Sequence, residues 1–145
     1  MQNVEDIAGN LTFLDGYDNI LTCGSFRREY SGLFKKDPSG KRDYQKWLNR
    51  QLDFLTKATN LDALARELDS FEKIKQCNEF SLFVIRRPHS RGNPRLLFSA
   101  IVDEDDRLFI LLLAFKELNS SDYTRNIPVA ETRMKEIIQS IKEGV

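Results

Sequence analysis

The sequence predicts an α+β fold, a small and mostly antiparallel sheet packed by two N-terminal helices and a C-terminal helix. Three observations predict it. Arg95 to Val102 and Leu108 to Phe115 are dominated by Leu, Ile, Val and Phe, and Asp103, Glu104, Asp105, Asp106 and Arg107 between them make an acidic hairpin turn. A third run of β-formers, FSLFVIRR, spans Phe80 to Arg87. Two further stretches, around Tyr44 to Leu55 and Ala130 to Ile141, carry apolar residues three and four apart, the period of a helix with one buried face.

Taken in order, Phe26, Arg28 and Tyr30 alternate with Arg27, Glu29 and Ser31, a pattern that suits a first strand. Asp37, Pro38, Ser39 and Gly40 form a strong turn, and a helix follows whose apolar stripe is Tyr44, Trp47, Leu48, Leu52 and Leu55. Asn60 is placed to cap a second helix, with Leu61, Leu64, Ala65 and Leu68 inward. Phe80 to Arg87 is the second strand, Pro88 to Pro94 the link, and the hairpin supplies strands three and four. The last of these, LFILLLAF, is almost continuously apolar, so it should be central and covered on both faces. Asn119, Ser120, Ser121 and Asp122 are turn and N-cap residues, and Pro128 suits the first turn of the closing helix. Ala130, Met134, Ile137, Ile138 and Ile141 give that helix its apolar face.

With 145 residues, 41% hydrophobic and 10% aromatic, the chain fits one domain with a real core. Twenty-two basic residues balance twenty-two acidic ones, so any nucleic-acid surface must be local. No membrane span or signal segment is expected, which points to the cytoplasm. Cys23 and Cys77 stand far apart without a CxxC or histidine partner, the pattern of reduced thiols and not of a metal site. Residues 1 to 22 carry Glu5, Asp6, Asp15 and Asp18 but no Lys or Arg, whereas Arg27 to Arg50 is rich in basic residues. The composition divides the chain into an acidic N-terminal extension, 1–22, and a domain proper, 23–145.

The segment RRPHSRGNPR holds Arg86, Arg87, Arg91 and Arg95 with the one histidine, His89, and no acid. Planar arginine donors fit phosphate oxygens, so the cluster could hold an RNA backbone; the plainer alternative is a solvated loop with one arginine bonded to the acidic turn. Lys116 follows the most apolar strand, and if that strand neighbours the one begun by Arg95, its ammonium should lie beside the arginines. Lys116 is one candidate base, since those cationic neighbours would favour its neutral form, and His89 is the alternative, or simply exposed. Tyr123 could stack on a base or pack its loop onto the sheet.

The order of these parts resembles the RelE/HigB superfamily of bacterial type II toxins, in particular its phage-type HigB branch from Gram-positive bacteria. In that family an arginine-bearing strand precedes an Arg-Val/Leu-Leu/Phe-Phe strand, then a strand reading Leu-Leu-His-Ala/Gly-Phe-Lys-Lys, a polar loop with a tyrosine, and a helix reading I-x-x-A-x-x-R-M/L. The matching residues are Arg86 or Arg87, then Arg95-Leu96-Leu97-Phe98, Leu111 to Glu117, Asp122-Tyr123, and Ile127, Ala130, Arg133 and Met134. Leu113 stands at the family's histidine and Glu117 at its second lysine. The resemblance covers the last two thirds of the chain.

It implies a RelE-like fold and an endoribonuclease that cuts mRNA at the ribosome and is held by a cognate helix-turn-helix antitoxin. On this reading Arg95 and Lys116 stabilise charge in the transition state, Arg86, Arg87, Arg91, His89 and Tyr123 contact RNA, and neither a metal nor an organic cofactor takes part. The alternative is a non-catalytic module of the same fold that binds RNA or protein. Oligomeric state is left open.

Overall fold

The computed structural model describes residues 11–87, 93–103 and 106–143, the side chains of Asp103 and Asp106 excepted. It is an α+β fold with one sheet of six strands in the order β1-β2-β6-β5-β4-β3, mostly antiparallel, and four helices among the described residues. The strands are β1 (Thr12–Phe13), β2 (Ile20–Thr22), β3 (Phe71–Gln76), β4 (Ser81–Arg86), β5 (Pro94–Asp103) and β6 (Asp106–Lys116). The helices are α1 (Phe26–Leu33), α2 (Pro38–Thr56), α3 (Leu61–Glu67) and α4 (Ser121–Glu143).

The continuously apolar run is the central strand expected of it. β6 lies between β2, its parallel partner, and β5, its antiparallel one, and every residue from Phe109 to Phe115 is buried. A register shift between Leu97 and Phe98 leaves Leu112 without a Cα partner on β5, and the carbonyl of this bulged residue is taken up from outside the sheet. Cys23 donates to it through Sγ at 3.0 Å and Arg133 through Nη1 at 2.7 Å.

Phe26 to Ser31 is helical and not a strand. Phe26, Tyr30, Leu33 and Phe34 are buried at helical spacing, an arrangement that leaves Arg27 and Arg28 exposed, whereas strand alternation would have sent Arg28 to the core side with Phe26 and Tyr30. Tyr30, Phe34, Tyr44 and Trp47 then pack ring on ring between α1 and α2. Asp37 caps α2 by accepting from the Gly40 amide at 3.0 Å, with Pro38 at the start. Asn60 caps α3 through the Ala63 amide.

Two strands had not been expected ahead of α1, and β3 had not been expected at all. β3 reads FEKIKQ, and a bulge between Lys73 and Lys75 changes the phase of its alternation, so Phe71 and Ile74 fall three apart and mask the strand period. Residues 11–22 of the acidic segment supply β1 and β2, and Ile20 and Leu21 are fully buried. The closing helix starts at Ser121, so Pro128 lies inside α4 and not in its first turn. Asp122, in the first turn, accepts through its carboxylate from the amides of Leu118 and Asn119 and ties the helix to the loop before it. No described helix is long and apolar enough to cross a membrane.

Candidate functional site

Strand pairing decides which charged side chains share a face. Arg86 on β4 lies directly opposite Arg95 on β5, and Arg95 opposite Phe115 on β6, so all three point the same way. Glu72 lies two residues from the Arg86 row on β3, opposite Val84, and Glu117 follows two residues after Phe115; both return to that face. The result is a row across one end of the sheet: Glu72, Arg86, Arg95, Glu117.

The two arginines are drawn apart by the acids at either end. Arg86 Nη1 sits 3.0 Å from Glu72 Oε2, and Arg95 Nε donates to Glu117 Oε1 at 2.7 Å. The Arg95–Glu117 pair is the less exposed, with 13% and 28% of the two side chains open to solvent. The Asn93 amide side chain donates to the Glu117 carbonyl at 3.1 Å and fixes the end of β6. Tyr123, in the first turn of α4, meets Phe115 edge to face at 5.3 Å, and its hydroxyl lies near enough to Arg95 to feel the guanidinium charge. Burial pushes the Tyr123 phenol above its ordinary range, with Arg95 pulling the other way. It is therefore a neutral hydrogen-bond donor at neutral pH.

Lys116 does not join this group. Its Cα partner is Pro94, and alternation along β5 and β6 sends its side chain to the face opposite Arg95 and Phe115, where it is exposed. The expected meeting of Arg95 and Lys116 over one patch does not form; the shift of one residue between the two positions is enough to separate them. Arg87 is likewise on the other side, its Nη1 2.8 Å from Asp43 and its guanidinium 5.6 Å from the Trp47 ring centre. Arg91 and His89 lie outside the described residues, as do the side chains of the acidic turn at Asp103 to Asp106.

Glu117 is the residue that sequence reasoning set aside. In the sequence it stands only as a departure from the family's lysine, although its i, i+2 relation to Phe115 places it on the Arg95 face. Leu113, where the family carries histidine, pairs with Leu97 and is buried. Both cysteines are free, and burial pushes the Cys23 thiol up. Among the described residues no group of three or more His, Cys, Asp or Glu side chains is arranged to hold a metal.

Comparison of the chain with protein-family models, with curated proteins and with solved structures finds no match.

Proposed function

We propose that the chain is a RelE/HigB-type toxin, an endoribonuclease that cuts mRNA through Arg86, Arg95, Glu117 and Tyr123. The observation that carries this reading is the pairing of Arg86 with Arg95. Like charges directly opposite on a sheet face destabilise it, and here each guanidinium is turned away from the other toward its own flanking carboxylate. A phosphodiester between the two relieves the repulsion and receives planar donors from both sides.

The remaining groups suit in-line attack by the 2′-hydroxyl. The Glu117 carboxylate accepts the 2′ proton as the 2′-oxygen to phosphorus bond forms, Arg86 and Arg95 neutralise the phosphorane, and the phosphorus to 5′-oxygen bond breaks. The departing oxygen takes its proton from the Tyr123 hydroxyl, which burial keeps protonated. Lys116, exposed on the opposite face from Arg95, takes no part in these steps. The order strand, helices, antiparallel strands and closing helix fits the RelE-like fold of the resemblance. Action at the ribosome and restraint by a helix-turn-helix antitoxin rest on that resemblance.

A second reading, a non-catalytic module of the same fold that binds RNA or protein, is favoured by one observation: Glu117 already occupies the Arg95 guanidinium. One experiment separates the two. Induced expression of the toxin arrests growth and creates new RNA 5′ ends, Arg95→Ala and Glu117→Gln each lower cleavage by about 100-fold or more, and Lys116→Ala leaves it within a few-fold. A wild-type protein that accumulates harmlessly without new 5′ ends decides for the binding module.

A further inference from the structure

Beside the Arg86 end of the row, α3 and β3 flank an open, shallow groove of about 510 Å³ whose lining includes Asp62, Arg66, Asp69, Glu72, Lys73 and Arg86. We propose that this groove receives a guanine base of the RNA strand, so that the protein reads the nucleotide next to the phosphate held between Arg86 and Arg95. The inference rests on the ribonuclease reading, since Arg86 is shared between the groove and that site.

The charge of the groove separates its ligand from a phosphate. Three carboxylates face three cations, so the lining is balanced and has no net attraction for an anion. An uncharged group that presents donors and acceptors side by side is the better occupant, and a splayed base of single-stranded RNA is such a group. Guanine fits the order of groups at the Arg86 end. Its N1–H and N2 amino hydrogens suit a carboxylate, and its O6, adjacent on the same edge, suits the guanidinium beside that carboxylate; Glu72 and Arg86 stand 3.0 Å apart in that relation.

The pairs now made are cheap to exchange. Arg86–Glu72 and Lys73–Asp62, at 3.0 and 3.5 Å, are both open to solvent, and exposed ion pairs contribute little to stability. The bulge between Lys73 and Lys75 lies in the same stretch of β3 and turns this edge strand away from plain ladder pairing.

The test needs no cleavage. The full-length chain is titrated with the four ribonucleoside 5′-monophosphates, which share a phosphate and differ only in the base, and amide resonances are followed. Guanosine monophosphate is expected to shift the resonances of residues 62–73 at concentrations about tenfold below the other three, and Glu72→Gln and Asp69→Asn, on exposed positions, are each compared with the wild type. Loss of the guanine preference in Glu72→Gln with unchanged far-ultraviolet circular dichroism supports the assignment. An equal response to all four, a preference for another base, or shifts confined to the surroundings of Arg95 and Tyr123 overturns it. RNA 5′-end mapping decides the ribonuclease reading separately, so the failure of either is distinguishable.

Discussion

Arg133 shows how one side chain can be legible in type and illegible in role. It matched the resemblance at a helix position, yet its guanidinium reaches out of α4 to bond both carboxylate oxygens of Glu29 on α1, at 2.8 and 2.7 Å, and the bulge carbonyl of Leu112 at 2.7 Å. Glu29 raises the arginine's proton affinity further. Removing one partner leaves the other charge half-buried with its bonds unmade, and Glu29→Gln is expected to cost about 2 kcal/mol in urea unfolding. A change within about 0.5 kcal/mol would show that solvent replaces the pair at no cost. At the same scale Arg95, Glu117 and Tyr123 could be named from sequence order, but their association could not. Face membership alternates residue by residue, so an error of a single position exchanged Glu117 for Lys116.

At the scale of elements, the helices were easier to read than their ends. The stripe Tyr44, Leu48, Leu52 and Leu55 is buried as its period requires, and Asn60 bonds the Ala63 amide as an N-cap should. Asn60→Ala is expected to lower stability by about 1 kcal/mol, measured by the shift of the urea midpoint. The loop leading into α4 is held by Asp122, whose carboxyl is kept below the usual carboxylate range first by the Asn119 and Leu118 amides, then by Arg125. A carboxyl with a lowered folded pKa stabilises the fold above its unfolded value, and that stability is lost as pH falls through the folded one. Acid titration of unfolding should therefore show a loss below about pH 4 that Asp122→Asn flattens, because the amide does not titrate. An unchanged pH profile in that variant would assign the acid sensitivity to other carboxylates. The misread elements have a common cause: α1 is short, and two of its helical turns overlap an accidental alternation, while the bulge in β3 hides a real one.

For the whole molecule, β6 organises the fold. It carries β5 along one edge and β2 along the other, and where β2 ends, Cys23 and then Glu29 of α1 continue the covering. Composition separates residues 1–22 from the rest by charge, but Ile20, Leu21 and Thr22 pair with Phe109, Ile110 and Leu111 at the centre of the sheet. Deleting residues 1–22 strips this parallel partner and exposes an apolar edge, so the shortened chain is expected to aggregate or to unfold with a broadened transition. A truncated chain that stays monomeric in gel filtration and unfolds as sharply as the full one would make the segment dispensable. Ile20→Ala offers the same test by one side chain, with a cost of about 2 to 5 kcal/mol for a fully buried isoleucine.

The sequence by itself determined the α+β class, the central strand, the hairpin and the helices α2, α3 and α4, because hydrophobic period and capping residues are local signals that survive in any fold. Only the tertiary structure decided that a short N-terminal strand enters the sheet, that Phe26 to Leu33 is helical, and that Glu117 stands with Arg95 while Lys116 does not. Those outcomes depend on register, on bulges and on contacts between residues far apart in the chain, and such quantities leave no mark on the residues immediately around them.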